Sequence, residues 1–551
     1  MDYNVRVEGY GDISIEKGAT LLDLSKKVYK NDYKNYTGAR INNEIYHLNK
    51  KVQDKMDILF LAKDRDGNGI YRQTVSAIFI MAAKKLYDNI DVRIEHSLNS
   101  GLYAELETGN NMSFSMIKEI DSKMREIIES DYPIKRHNFS REEAIKKFEK
   151  YGYNDKVRLY KTLDQEEVSI YRIDDHIDSF HGYLAPSTGF IDEFSLKYYY
   201  PGVIMLIPNR RNNYEIEDFQ EQKKLATIFK EASRWLDILD LRDVGSLNEK
   251  TNQEKVEEVV RVSEALQEKK IADIADRISS LSDINIILVA GPTSSGKTTF
   301  SNRLITHLRV NGKKPVAISI DDYFLDRDKT PLAEDGTPDF ETIDAVDMEA
   351  LNMDLINLLE GKEIELSKFN FLLGKREKTG EIIKVDENHP IIIEGIHGLN
   401  PKLTEMIPEK NKFKIYISAL TQLNIDSHNR ISTTDTRLIR RIVRDHNFRG
   451  NSIERTLELW QGVRRGEEKY IFPFQEEADV MFDSALVYEL AVLKKYVKPL
   501  LEKIDNSSVF YSDTKKLLRF LDYFKDIDIE EAIPPNSLLR EFIGGTYINV
   551  H

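Results

Sequence analysis

Val289 to Phe300 reads VAGPTSSGKTTF, and the apolar run Ile284 to Val289 stands directly before it. Gly291 and Gly296, followed by Lys297 and Thr298, satisfy G-x-x-x-x-G-K-[ST], a loop that cradles phosphates. The glycines and the small residues Ser294 and Ser295 let successive backbone N–H groups turn inward on a triphosphate, and the helix that follows presents its N-terminus to the same anion. Lys297 adds a point charge for the terminal phosphates. Thr298, on the first helical turn, offers its hydroxyl to a magnesium ion that keeps most of its water. A Gly/Ser turn alone would not need its neighbours, but here INIILVA has the pattern of a short buried strand and TTFSNRLITHLRV has helical periodicity. Strand, loop and helix therefore arrive in the required order.

Outward from the loop, the carboxyl-terminal half alternates strand and helix. INIILVA is followed by a helix, PVAISI, a long irregular insert, HPIIIEGI and KFKIYISA. Apolar strands separated by helices predict a parallel, doubly wound sheet with helices on both faces. Ligands of such sheets bind beyond the carboxyl ends of the strands. DDYFLDRD follows PVAISI, so a carboxylate there is placed to accept a proton from an attacking hydroxyl or to hold magnesium; the bland alternative is a pair of acids capping a turn. Arg437, Arg440, Arg441 and Arg444 fall at i, i+3, i+4 and i+7, one face of a helix, with Leu438, Ile439, Ile442 and Val443 on another. Guanidinium forks bind phosphate oxygens in pairs and suit a phosphoryl transition state. Arg437 and Arg440 are expected to pair with nearby acids on the surface, where such pairs stabilise little.

The segments VAGPTSSGKTTF, SIDDYF, PDFETIDAVD, FNFLLGKR, IIIEGIHGL and DTRLIRRIVRD stand in the order and spacing of the uridine-cytidine kinase family, and the region from about Asp283 to Asp483 resembles it. That family is a branch of the P-loop kinases that also includes phosphoribulokinase. The resemblance implies catalytic roles for Asp321 as general base, Lys297 and Arg444. It implies ATP binding by Gly291, Ser294, Ser295, Gly296, Lys297, Thr298, Thr299, Arg444 and Arg449. Thr298, Asp321 and Glu394 match the residues that hold magnesium. Phe324 (where the family usually has Tyr), Glu341 (where an Asp holds the ribose hydroxyls), Phe369 and Arg441 fall at substrate positions. Three departures stand out: Gly374 replaces a base-reading His, Phe369 a Tyr, and Asn451 the last lid arginine. Gly and Phe side chains cannot hydrogen-bond a pyrimidine edge. The phosphate chemistry is expected to be intact and the acceptor pocket altered.

The chain has 551 residues, enough for two to four domains. Charged residues make up 31% and hydrophobic ones 41%, and no apolar run reaches the length of a membrane span, so a cytoplasmic protein is expected, with no membrane partner. There are no cysteines, which excludes disulfides, thiolate metal sites and cysteine nucleophiles. Seventy-nine basic residues against 93 acidic ones give a net charge of −14, which disfavours a nucleic-acid-coating role without excluding contact through the front half.

That front half divides in pattern. Residues 1–64 alternate, enter a helix and end on KMDILFLAK, with DRDGNG (Asp64 to Gly69) as the linker. They resemble the TGS domain, the ubiquitin-like α+β module of threonyl-tRNA synthetases. Residues 70–240 resemble the α+β editing-type second domain of those enzymes, through RQTVSAIFIMAAKKLY, IEHSLNSGLYAEL and LAPSTGFIDEFSL. The family's zinc ligands correspond here to Gln73, Ala77, Phe180 and Leu184, which cannot hold zinc. His176 and His181 lie nearby without a third partner. No zinc is expected, and this half is expected to serve as a scaffold, dimerisation or regulatory unit. Residues 248–280 carry apolar positions at helical spacing among many Glu and Lys, the pattern of a long, solvated connecting helix.

The expected architecture is thus an α/β P-loop kinase with a doubly wound parallel sheet at residues 281–551, behind a TGS-like and an editing-like domain. The expected activity is ATP- and magnesium-dependent phosphoryl transfer to the 5′-hydroxyl of a nucleoside. Two alternatives stay open: a kinase of another small hydroxylated metabolite such as a sugar phosphate, and an ATP-binding regulator that meets RNA or the translation machinery through the front half. A homo-oligomer is compatible with the sequence, and beyond Asp483 LVYELAVLKKYVKPLLEKI and TKKLLRFLDYF read as two amphipathic helices before a tail that follows a proline pair.

Overall fold

The computed structural model describes residues 2–87, 90–99, 101–107, 112–209, 214–251, 253–333, 336–370, 373–386, 388–421 and 423–548. Ser100, Asn252, Phe371 and Leu372, which fall inside segments read above, lie outside the described residues.

The alternating start of the chain forms a mixed five-stranded sheet, with Asp2–Val7 between Gly11–Glu16 and Asp57–Ala62. It packs on the helix Leu21–Tyr29, which opens with a reciprocal cap: Thr20 accepts from the Asp23 N–H while Asp23 accepts from the Thr20 N–H. The linker is shorter than expected. The next helix, Asn68–Leu86, begins inside it, because Asn68 is fixed by donating to the carbonyls of Lys63 and Pro208. That helix is buried almost all round and forms the spine of the second unit. Around it lie a four-stranded antiparallel sheet that includes Asp91–Leu98 and Gly101–Glu107, and a three-stranded sheet that includes Glu167–Ile173 and His176–Asp178. Ala77, Phe180 and Leu184 belong to its apolar core, and Gln73 donates to the His181 carbonyl at 3.2 Å.

In the second half, Val316–Ser319, Ile391–Gly395, Ile286–Ala290, Lys412–Ser418 and Val480–Asp483 form one parallel sheet in that spatial order. Alternation sorts the side chains. Ile286, Leu288, Ile391 and Ile393 pack with Leu351, Leu355 and Leu358 of the helix Met348–Leu359. Ile287, Val289, Ile392 and Ile415 face the opposite side, against Phe300, Leu304 and Leu308 of the helix Lys297–Val310.

The expected solvated helix at 248–280 differs in two ways. It is preceded by a separate turn of helix, Val244–Glu249, and itself runs from Gln253 to Ser279. One of its faces is covered: Ile271, Ile274, Ala275 and Ile278 pack with the phosphate-loop helix and the sheet. Its charges made it read as solvated, but a stripe of apolar residues is enough to dock a helix.

The segment 423–431, just before the arginine helix Thr433–Phe448, is gripped by the front half. Ile94 donates to the Ser427 carbonyl (2.7 Å), Ser427 donates to Asp155 (2.8 Å) and His181 to Asn429 (2.7 Å). Lys156, fully buried, bridges Asp178 and Asp426 at 3.1 and 3.0 Å. The tail folds back onto the phosphate loop, with Leu538 against Gly296 and Glu541 accepting from Thr299 at 2.7 Å, and is tied internally by Arg540 donating to the carbonyls of Glu530 and Ile533.

Candidate active site

Strand register brings the site together. Val289 pairs with Glu394, and Glu394 pairs with Ser319 on its other side. The chain continues past Val289 into the phosphate loop, and past Ser319 into the 3₁₀ turn Ile320–Tyr323 that carries Asp321. Loop, Asp321 and Glu394 therefore share one rim of the sheet.

The loop has the backbone its sequence demands. Ser294 and Gly296 adopt left-handed conformations, with φ of 60° and 83°. A Cβ on Gly291 would stand 2.1 Å from the Ile417 carbonyl oxygen, so only glycine fits there. The hydroxyls of Ser294 and Ser295 are buried without a hydrogen-bond partner among the described residues. Lys297 donates to the Pro292 carbonyl, at 3.4 Å, and burial holds its ammonium below the usual lysine range despite the fields of Glu394, Asp321 and Glu541. Buried donors with so little to bind are the complement of an anion.

The acids show the opposite deficit. Thr298 Oγ1 donates to Glu394 Oε1 at 2.8 Å, yet burial pushes the Glu394 carboxyl up to about 7. Burial also raises Asp321, with Lys297 and Arg449 opposing. Two carboxyls and a hydroxyl at one rim, short of positive charge, are a hard-oxygen donor set that fits magnesium.

The four arginines divide by role. Arg437 and Arg440 do pair with acids, but in the core rather than on the surface. Arg437 donates to the Thr293 carbonyl through Nε (3.0 Å) and Nη2 (2.8 Å) and is paired with Glu467. Arg440 donates to the Ser294 carbonyl (3.3 Å) and, through Nε, to Glu489 (3.1 Å). Both brace the phosphate loop from behind. Arg441 and Arg444 turn to Asp445, at 3.3 and 3.0 Å, while Arg449, with a half-exposed side chain, stands 3.8 Å from it. Asn451 donates its backbone N–H to the Asp445 carbonyl.

Glu341 is packed against Gly466, with Oε2 buried and without a hydrogen-bond partner among the described residues, and burial raises it to about 7. Phe324 and Phe369 pack their rings 5.8 Å apart in the apolar core, with Phe340 edge-on to both. Gly374 has a φ of +67°, and a Cβ there would meet the Arg327 side chain at 2.8 Å. Thr299 donates its hydroxyl to Glu541 of the tail, at 2.7 Å.

Four residues of the site were not singled out in the sequence. Asp445 stood in plain view inside DTRLIRRIVRD. Glu467, Glu489 and Glu541 carried no local signal, since each is brought in from a distant helix or the tail.

A family model described as Phosphoribulokinase / Uridine kinase family matches residues 286–491. The amino-terminal half matches threonyl-tRNA synthetases. The Threonine--tRNA ligase of Natranaerobius thermophilus is 34% identical over 184 residues, 33% of this chain and 29% of that protein. The Threonine--tRNA ligase of Clostridium tetani is 30% identical over 195 residues, 35% of this chain and 30% of that protein. The chain thus spans less than a third of the length of these relatives. Among solved structures, one described as "a Possible Uridine Kinase from Bacillus stearothermophilus" aligns at 18% identity over 39% of this chain and 98% of its own, with a TM-score of 0.27. The segment that matches the family model is a P-loop kinase unit.

Proposed function

We propose that this kinase unit transfers the terminal phosphoryl group of ATP to the 5′-hydroxyl of a nucleoside. The observation that carries the reading is the meeting of Lys297, Thr298, Asp321 and Glu394 at one rim, with Thr298 bonded to Glu394 and Lys297 in the fields of both acids.

Each residue then has a task. The loop amides and Lys297 hold the phosphates, and the buried hydroxyls of Ser294 and Ser295 supply donors beside them. Thr298, Asp321 and Glu394 would hold magnesium, which when bound would neutralise charge on the phosphates. Asp321 accepts the proton of the attacking hydroxyl; its raised affinity for a proton suits that task. Glu341 orients the acceptor through its free oxygen. Arg441 and Arg444 lie on Asp445 in this state, and closing on a triphosphate exchanges that carboxylate for phosphate oxygens. Arg449 closes from the more exposed end.

A second reading, an acceptor that itself carries a phosphate, draws support from Arg327, whose side chain lies against Gly374 where the family presents a base-reading His. The front half, with no zinc ligands at the four matching positions, acts as a scaffold that grips the segment before the arginine helix. A panel of nucleosides and sugar phosphates, scored by ADP release, tests the proposal. Turnover with a nucleoside supports it, turnover with sugar phosphates alone favours the second reading, and release with no acceptor on the panel defeats both.

A further inference from the structure

His397 follows Glu394 by three residues, beyond the carboxyl end of the strand Ile391–Gly395, where ligands of parallel sheets bind. The residue is only 1% exposed. Nδ1 and Nε2 are both buried, and neither closes a hydrogen bond with a described residue, although the ring lies near the backbone of Thr342. Burial pushes the imidazole down to about 4, so near neutrality the ring is uncharged, with one nitrogen able to donate and the other to accept. A buried polar group left unpaired costs stability, and folds pair nearly all of them. A ring with both nitrogens unpaired is suited to a partner that arrives from outside.

The surroundings of His397 indicate the chemistry of that partner. Thr342 is the neighbour of Glu341, whose Oε2 is also buried and unpartnered among the described residues. Both groups pack on the helix Ile453–Tyr470: Glu341 lies against Gly466, and the His397 ring meets Tyr470 edge-on, with centroids 6.1 Å apart. Gly466 and Tyr470 are about one helical turn apart on the same face, so the two unpaired groups stand side by side. Glu341 in turn lies within the fields of Arg441 and Asp321, which makes the pair continuous with the catalytic rim. Neither group brings positive charge. A neutral imidazole beside a carboxyl offers donors and acceptors for hydroxyls, whereas a phosphate would call for guanidinium or ammonium groups.

We infer that His397 binds a hydroxyl of the phosphate acceptor, beside the one that Glu341 orients, and so selects a polyhydroxylated acceptor. The inference deepens the proposed function and rests on it. The same contact serves the ribose of a nucleoside or the hydroxyls of a sugar phosphate.

The test uses the full chain saturated with adenylyl imidodiphosphate, an ATP analogue that cannot transfer its phosphoryl group. Uridine and ribose 5-phosphate are titrated separately by calorimetry into the parent, His397→Leu, His397→Gln and Glu341→Gln. At least one probe is expected to saturate, with His397→Leu weakening it about tenfold or more and the affinity for the ATP analogue staying within about twofold. Leucine removes the unpaired nitrogens at similar volume, so the melting temperature is held or raised. Glutamine keeps a donor and an acceptor and retains part of the binding. Saturation by ribose 5-phosphate alone, weakened by leucine, supports the inference and removes the nucleoside reading. Binding weakened by Glu341→Gln but unchanged by His397→Leu overturns the inference and spares the proposed acceptor site. A lowered melting temperature in the leucine variant marks a structural histidine and overturns it too, as does no saturation by either probe at millimolar concentration.

Discussion

Thr298, on the first turn of the helix after the phosphate loop, donates its hydroxyl to the Glu394 carboxyl near the end of the strand Ile391–Gly395, at 2.8 Å, at the rim where Lys297 and Asp321 also stand. The contact uses a hydrogen bond to hold an acid that burial has made hard to ionise, and this has a measurable consequence.

The Glu394 carboxyl is raised from 4.5 to about 7 in the ligand-free fold. The fold therefore favours the protonated acid, so the stability linked to it is present below 4.5 and is lost as pH rises through 7. Glu394→Gln mimics the protonated form. It should raise ligand-free stability at pH 8 by about 1–3 kcal/mol and leave it nearly unchanged at pH 4.5, while turnover collapses. Thermal unfolding at the two pH values checks this; an equal gain at both would remove the carboxyl as its cause.

Arg440 and Glu489 are paired in the core beneath the loop. Arg440→Ala leaves a buried, uncompensated carboxylate and should cost about 3–5 kcal/mol. Replacing both, as Arg440→Met with Glu489→Leu, should recover most of that stability but not ATP affinity, because the Ser294 carbonyl keeps no brace. Chemical denaturation and nucleotide titration of the same variants separate the two effects.

Glu541 accepts from Thr299 at 2.7 Å and lies within the field felt by Lys297. Its charge opposes an incoming triphosphate. Glu541→Gln keeps the hydrogen bond and removes the charge, so ATP should bind about three- to tenfold tighter in low salt, with the gain shrinking as salt rises. Unchanged affinity would place the tail carboxylate outside the nucleotide's reach.

Glu341, proposed to orient the acceptor, has one oxygen unpartnered among the described residues. Glu341→Gln should raise the KM for the acceptor by about tenfold or more while leaving the KM for ATP within about twofold, since a charged hydrogen bond to a hydroxyl is lost. Initial rates with each substrate varied in turn distinguish this from a general loss of fold.

Much of this was legible in the chain because the signals are local. G-x-x-x-x-G-K-T fixes a loop geometry within eight residues, and apolar runs between helices predict a parallel sheet whose register then delivers Asp321 and Glu394 to one rim. The arginine spacing identified a helix face but not its surroundings. Arg437 and Arg440 read as surface residues because their partners, Glu467 and Glu489, lie 30 and 49 residues away. Phe324 and Phe369 read as substrate contacts, yet with no hydroxyl to satisfy they pack into the core with Phe340. The helix from Gln253 looked solvated since charge density hides a narrow apolar stripe. The tail carried no periodicity that would have placed Glu541 beside Thr299.

The most direct test of the account is Asp321→Asn in the full chain, followed by nucleotide titration and by turnover with the best acceptor. The account predicts that ATP still binds saturably and that turnover is reduced by about a hundredfold to ten-thousandfold, because a neutral amide cannot take the proton. Full activity in that variant would contradict the claim that Asp321 and the phosphate loop form one catalytic centre.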